Sequence, residues 1–357
     1  MAKYKKSEAK DYAKEVLKGV WTAMPTNFTE DDRIDDKAIT ENLETCISDL
    51  KIEGHYFLGN VGEFWSQTNA ERMRVAEVNV EAAKGRIPLI AGCHHQNPYE
   101  AVELCNHARA VGVDFAIILT PYMGARDDDS VFEYYRFVAE RTDIGIVLFN
   151  IPQVYHPIHD RLAKRLATIP NICSYKQANP SPAATNALRE AIGDQIIISV
   201  ADETPWLHNL VIGGDDWLLN YAPHLYQVPG YTPIADYTAA ANAGDMNKAV
   251  AIAKTLEPIR GVLARWVNGY GRPNGRLPTH EQKVWMELLG MRGGPVRAPA
   301  TPMSANGAVS STRKSRWKLI NCTIRIAAIR KSITGTTTKM LACPLALSST
   351  TPPIATW

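Results

Sequence analysis

Lys176 sits near the end of the run ICSYKQ (172–177), which otherwise has the character of a strand about to be buried. A charged side chain at such a place is either a reactive amine or a surface residue at a loop mouth. Removal from water favours the uncharged form of a lysine, so the neutral, nucleophilic amine becomes available near pH 7. That amine can attack the carbonyl of a 2-oxo acid and form a Schiff base. Spacing alone leaves this reading level with that of a structural lysine.

A second group of residues could hold the acid. In GNVGEF, Gly59, Asn60, Val61, Gly62 and Glu63 form a turn between an apolar run and a helical pattern. Glycines let a backbone approach a ligand closely, and amide N–H groups at a turn leading into a helix suit a carboxylate. A tight turn with no ligand would use the same glycines. The remaining hydroxyl or titratable groups near run ends are His94, Tyr122, Tyr155, His156 and Asp202. His94-His95 and His156-x-x-His159 have ligand-like spacing, but adjacent strand residues face opposite sides and Pro157 disturbs a helical i,i+3 pair. The sequence is therefore expected to hold neither a metal nor another cofactor.

The elements that position these residues follow a regular order. Eight short apolar runs occur between residues 19 and 221: GVWTAMPT, GHYFLGN, IPLIAGC, DFAIILTP, IGIVLFNIP, ICSYKQ, IIISVAD and DWLLNY. The seven segments between them (37–50, 69–84, 98–111, 130–141, 159–168, 181–193 and 205–212) carry mostly helical patterns. Strands alternating with helices at this pace pair in parallel through right-handed crossovers, and eight such units close into a (β/α)8 barrel. An open, doubly wound sheet is the competing fold, and it is disfavoured because no GxGxxG follows the first run. Barrel active sites lie at the C-terminal ends of the strands. That rule nominates Asn60, Glu63, His94, Pro121, Tyr122, Phe149, Asn150, Lys176, Asn179, Asp202 and Asn220, with Lys176 the only lysine among them.

Composition limits the partners. The chain has 357 residues and is 45% hydrophobic, enough to bury the core of one large barrel. No apolar run approaches the ~20 residues needed to cross a bilayer, and the start has no apolar core of a signal peptide, so a cytoplasmic protein without a membrane partner is expected. The six cysteines show no CxxC pairing or regular spacing, so neither a disulfide framework nor structural zinc is expected. Residues after Ser304 hold eight basic side chains and no acidic one, so subtracting 8 from the net charge of +2 leaves −6 on residues 1–304. An acidic body argues against nucleic acid as a partner. The chain divides into a helical extension (1–18), the barrel (19–228), a helical appendix (229–304) and a basic Ser/Thr-rich tail (305–357). The tail reads either as a disordered segment or as a non-native, frameshifted end.

On these motifs the chain resembles the dihydrodipicolinate synthase and N-acetylneuraminate lyase family over roughly residues 16–304. The resemblance rests on MPTNF after the first run, the GxxGE turn, TPY at the fourth, FNIP followed by a lysine in the sixth, and the closing LLGMRGGPVRAP. It implies a pyruvate-handling class I aldolase, with Lys176 as the Schiff-base residue and a dimer or tetramer as the assembly. Together with the strand-end rule, these motifs lead to an expected substrate-binding role for Gly59, Asn60, Val61, Gly62, Glu63, Tyr122, Phe149, Asn179 and Asp202.

The departures are informative. The family's proton-shuttling tyrosine at the end of the fifth strand is Phe149 here. The hydroxyl residues inside the GxxGE turn are Asn60 and Val61, and the tyrosine that usually follows Tyr122 is Met123. Without that relay, the lysine-biosynthesis reaction is not assigned, and Tyr155 is the first candidate to replace the missing hydroxyl. Aromatic and apolar replacements (Phe64, Trp65, Met123, Phe149, Trp206, Trp217), together with GVWTAMPT, are similar to the hydratase-aldolases that split benzylidenepyruvate-type compounds. The expected function is a Schiff-base lyase acting on pyruvate or a related 2-oxo acid. The alternatives are a 2-keto-3-deoxy sugar acid dehydratase and an inactive, ligand-binding relative.

Overall fold

A computed structural model describes residues 3–152, 156–178, 181–212, 217–264 and 277–302. Each of the eight apolar runs contains one strand: β1 (Gly19–Ala23), β2 (Gly54–Phe57), β3 (Leu89–Gly92), β4 (Phe115–Leu119), β5 (Gly145–Asn150), β6 (Ile172–Gln177), β7 (Ile197–Val200) and β8 (Trp217–Asn220). All pair in parallel with their neighbours, and β8 pairs with β1 to close the barrel. Each strand is covered on both faces, which is why the runs read as continuously apolar instead of alternating.

The crossover helices are α2 (Asp36–Ser48), α3 (Asn69–Ala83), α4 (Pro98–Val111), α5 (Asp128–Glu140), α6 (Asp160–Ala167), α7 (Pro182–Ile192) and α8 (Trp206–Val211). Several start where a side chain can satisfy the free amides of a first turn. Thr68 and Glu71 form a reciprocal capping box on α3, while Asn97, Asp127 and Ser181 cap α4, α5 and α7. Ahead of the barrel, α1 (Ala9–Val16) lies across its N-terminal end. Tyr4, Ala9, Ala13 and Leu17 there join the interior layer of Trp21, Phe115, Cys173 and Trp217. The barrel mouth left uncovered by α1 is thus the opposite, C-terminal end.

One irregularity sets the orientation of β6. Ile146 of β5 lies opposite Ile172, but Val147 lies opposite Ser174, which leaves Cys173 as an extra residue. Ile172 packs in the outer layer against the helices, and Cys173 packs in the barrel interior. Strict alternation from there would send Lys176 outward. The bulge reverses the phase, so Tyr175 packs outward opposite Leu148 and Lys176 turns inward opposite Phe149.

After β8 come α9 (Ala222–Tyr226), α10 (Pro233–Asn242), α11 (Met246–Lys254), α12 (Glu257–Leu263) and α13 (Thr279–Leu288). Trp285 of α13 donates its indole N–H to the Leu225 carbonyl at 2.9 Å. No helix among the described residues is long and apolar enough to cross a membrane. Cys46, Cys93, Cys105 and Cys173 are buried free thiols. The basic tail from residue 305 lies outside the described residues.

Candidate active site

Lys176 projects from β6 into the barrel near its mouth and is 7% exposed. Its Nζ lies 4.4 Å from the centre of the Phe149 ring and 4.9 Å from that of Tyr56. Among the described residues no carboxylate pairs with it. Burial alone pushes its pKa from 10.5 down to about 7. The aromatic faces offer the protonated form some compensation, typically about 0.5–2 kcal/mol, which is small against the desolvation of an ammonium.

The residues around the amine come from three other strands or strand ends. Phe149 enters from β5 and Tyr56 from β2, their rings meeting edge to face at 6.4 Å. His94, just past β3, completes the group, and its Nε2 lies 2.9 Å from the Tyr56 hydroxyl. The Leu119 backbone N–H donates to His94 Nδ1 at 3.0 Å. Nδ1 is therefore the acceptor nitrogen, and the ring proton sits on Nε2, facing Tyr56. Burial, then the positive charges of Arg72 and Lys176, keep His94 well below the ordinary histidine range and hence neutral. Phe64 closes the group from the turn side, 4.7 Å from the His94 ring, with the Arg72 guanidinium 5.6 Å from its own ring centre.

The GNVGE turn is built tightly against these residues. A Cβ on Gly59 would sit 2.8 Å from the Tyr56 ring and its hydroxyl, so this glycine makes room for the phenol end. A Cβ on Gly92 would lie 2.0 Å from the Leu58 carbonyl oxygen and 3.0 Å from His94 Nε2. Leu58 and Glu63 hold left-handed backbone conformations at φ 58° and 54°. Such non-glycine outliers persist only where the surroundings impose them, and they concentrate at functional sites. Asn60 and Val61 are half-buried at the tip of the turn. The Gly62 carbonyl accepts hydrogen bonds from Thr26 and Gln67.

Glu63 turns away from the barrel mouth toward the C-terminal segment. It is fully buried, with Oε1 2.6 Å from Lys283 Nζ and Oε2 accepting from the Arg297 backbone N–H at 3.0 Å. Its carboxylate ties the turn to α13 and the segment after it. Tyr122 is 62% exposed beyond β4, its backbone N–H donating to Gln96. Asp202 is exposed and lines a small cleft beside β6 and β7, together with Gln177, Asn186, Arg189, His208 and Asn209. This cleft adjoins the lysine without including it.

Of the sequence candidates, the structure thus gathers Lys176, Phe149, His94 and the Gly59 turn, and it sets Glu63, Tyr122 and Asp202 in other surroundings. Tyr155 and Asn179 lie outside the described residues. His156 and His159 both point Nε2 at Asp128, at 2.9 and 3.1 Å. Trp206 packs outside the barrel, donating to Thr238 at 2.8 Å, and Trp217 fills the interior against Trp21 at 5.5 Å. Tyr56 lies inside the apolar run GHYFLGN, three residues ahead of Gly59, where the strand-end rule does not reach.

A match to the Dihydrodipicolinate synthetase family spans residues 16–314. The chain belongs to this family. Its sequence relatives include the 4-hydroxy-tetrahydrodipicolinate synthase of Methanothrix thermoacetophila, 28% identical over 294 residues, covering 81% of this chain and 92% of that protein. An uncharacterized DapA-like lyase of Thermococcus onnurineus is 31% identical over 220 residues, covering 59% and 73%. In fold, the chain superposes on YagE, a prophage protein of this family from E. coli K12 solved with pyruvate, at a TM-score of 0.74 and 21% identity, covering 87% of this chain and 99% of that one. N-acetylneuraminate lyase from Mycoplasma synoviae gives 0.73 at 20% identity, covering 88% and 99%. Membership of the dihydrodipicolinate synthetase family places the chain in the aldolase-type lyase class.

Proposed function

We propose that this protein is a lysine Schiff-base lyase acting on pyruvate or a related 2-oxo acid, making or breaking a C–C bond, with hydration of an aromatic enone as the accompanying step. The observation that carries the reading is the Lys176 amine, buried over two aromatic rings with its pKa near 7. At neutral pH such an amine holds roughly 10³-fold more of its neutral form than an ordinary lysine. After attack on a 2-oxo acid, the protonated imine becomes an electron sink for the bond beside the former carbonyl carbon. The pyruvate seen in the YagE complex is consistent with this class of substrate. Phe64, Tyr56, His94 and Phe149 make an aromatic surround that favours an aryl substituent.

A second reading is dehydration of a 2-keto-3-deoxy sugar acid through the same imine, which the same buried amine would form. Borohydride reduction in the presence of pyruvate, followed by peptide mass spectrometry, tests the common step. An adduct on Lys176, absent from Lys176→Met, is expected. Its absence from the wild-type protein would overturn both lyase readings and leave a binding protein. Release of an aromatic aldehyde from benzylidenepyruvate, measured against dehydration of a 2-keto-3-deoxy sugar acid, separates the two.

A further inference from the structure

We propose that Tyr56 carries the proton that Schiff-base chemistry at Lys176 has to move, and that His94 is the positioning residue for its hydroxyl. The inference rests on the Schiff-base reading above. Phe149 stands beside the amine with no proton to give, whereas the Tyr56 ring lies under the same Nζ at 4.9 Å, edge to face with Phe149. The Tyr56 oxygen is held by the Nε2–H of a neutral imidazole at 2.9 Å, and that imidazole is itself locked by the Leu119 amide at 3.0 Å. Gly59 of the turn keeps the space at the phenol end that a Cβ would take.

The proton balance closes on these groups. Lys176 Nζ bonds to the carbonyl carbon, the C=O π pair moves to oxygen, and the proton lost by nitrogen passes to that oxygen to give a neutral carbinolamine. The nitrogen lone pair then expels the hydroxyl group, which leaves as water with the Tyr56 proton. A protonated imine and a phenolate remain, and the phenolate accepts the His94 N–H bond. The phenolate next takes a proton from the carbon adjacent to the imine, which yields the enamine and restores Tyr56. Among the described residues, Lys176 from β6, His94 from the end of β3 and Arg72 from α3 are charged or titratable groups facing the phenol.

The test uses the full chain with pyruvate in deuterated water. It follows exchange of the methyl protons by proton NMR alongside borohydride trapping. Tyr56→Phe is expected to keep the Lys176 adduct at equilibrium while exchange slows by ~10²–10⁴-fold, the range for a lost general acid–base group. 3-Fluorotyrosine at position 56 preserves the packing and is expected to move the pH profile of exchange toward acid, which a space-filling role would not do. His94→Leu is expected to move the profile toward alkali, with His94→Gln, whose amide can donate in place of Nε2–H, restoring part of the shift. Exchange in Tyr56→Phe within threefold of wild type overturns the proposal, as does an unmoved profile with fluorotyrosine or a full loss found instead in Tyr155→Phe. An adduct in the wild-type protein combined with normal exchange in Tyr56→Phe removes this inference alone. No wild-type adduct removes the Schiff-base reading with it.

Discussion

Lys176 and Lys283 are both buried, at 7% and 0% exposure, and burial pulls both toward the uncharged form. Their surroundings answer in opposite ways. Lys283 has the Glu63 carboxylate at 2.6 Å and donates to the Pro295 carbonyl at 2.6 Å, over the Phe28 ring. Burial pushes Lys283 down and Glu63 up, and the ion pair opposes both shifts. Lys176 has aromatic faces and no counter-charge among the described residues. The difference teaches that burial does not by itself make a lysine reactive. Among the described residues Lys176 has no carboxylate to offset the loss of water around its ammonium, so its neutral form is the more favoured of the two.

The largest test of that contrast replaces each lysine with methionine, a side chain of similar shape. Lys176→Met is expected to abolish lyase activity while raising stability at pH 7, since it removes an amine whose burial opposes folding. Lys283→Met should do the reverse. It leaves Glu63 buried and unpaired and is expected to cost about 3–5 kcal/mol of unfolding free energy in urea titrations. Equal losses of stability in both variants would refute the distinction.

The next test is the dependence of stability on pH. The folded-state pKa of Lys176 is about 7 against 10.5 for an unperturbed lysine. Between these values the unfolded chain binds more protons, so folding is favoured as pH rises through this window, and below pH 7 the full cost remains. From pH 7 to pH 9 the wild-type protein is expected to gain about 2 kcal/mol relative to Lys176→Met. Parallel stability curves for the two proteins would show that the amine is not desolvated.

The smallest change would convert one lysine partly into the other. Ser199 lies opposite Lys176 across the β6–β7 pair, and its hydroxyl is buried with no partner among the described residues. Ser199→Asp supplies the missing carboxylate. It is expected to raise the Lys176 pKa by about 1 unit, or about 1.4 kcal/mol, and to shift the pH midpoint of borohydride trapping to the alkaline side by the same amount. An unmoved midpoint would mean that the charge environment does not control this amine.

Much of the architecture was legible in the order of apolar runs and helical segments, because eight repeats of strand and helix admit few packings. The Gly59 turn and Lys176 were also visible, since a glycine pair and a lone lysine stand out by residue type. Glu63 shows the limit of that reading. As a charge beside a candidate site it looked available for substrate, but its partners, Lys283 and Arg297, lie more than 200 residues away in sequence. Tyr56 shows the complementary failure: inside an apolar run it reads as core, and the approach of His94 from the end of β3 gives its hydroxyl a hydrogen-bond partner.

What the sequence determined alone was the parallel barrel and the short list of groups able to react, because strand and helix periodicity and residue chemistry are local properties. Whether Lys176 would face the interior was beyond it, since an alternating strand from Ile172 would have pointed the amine at the helices. One extra residue at Cys173, accommodated by pairing with β5, turned the amine inward. Tertiary structure also decided which buried lysine found a carboxylate and which, among the described residues, did not. Desolvation and pairing depend on distances between strands and helices far apart in the chain, and no local pattern encodes those distances.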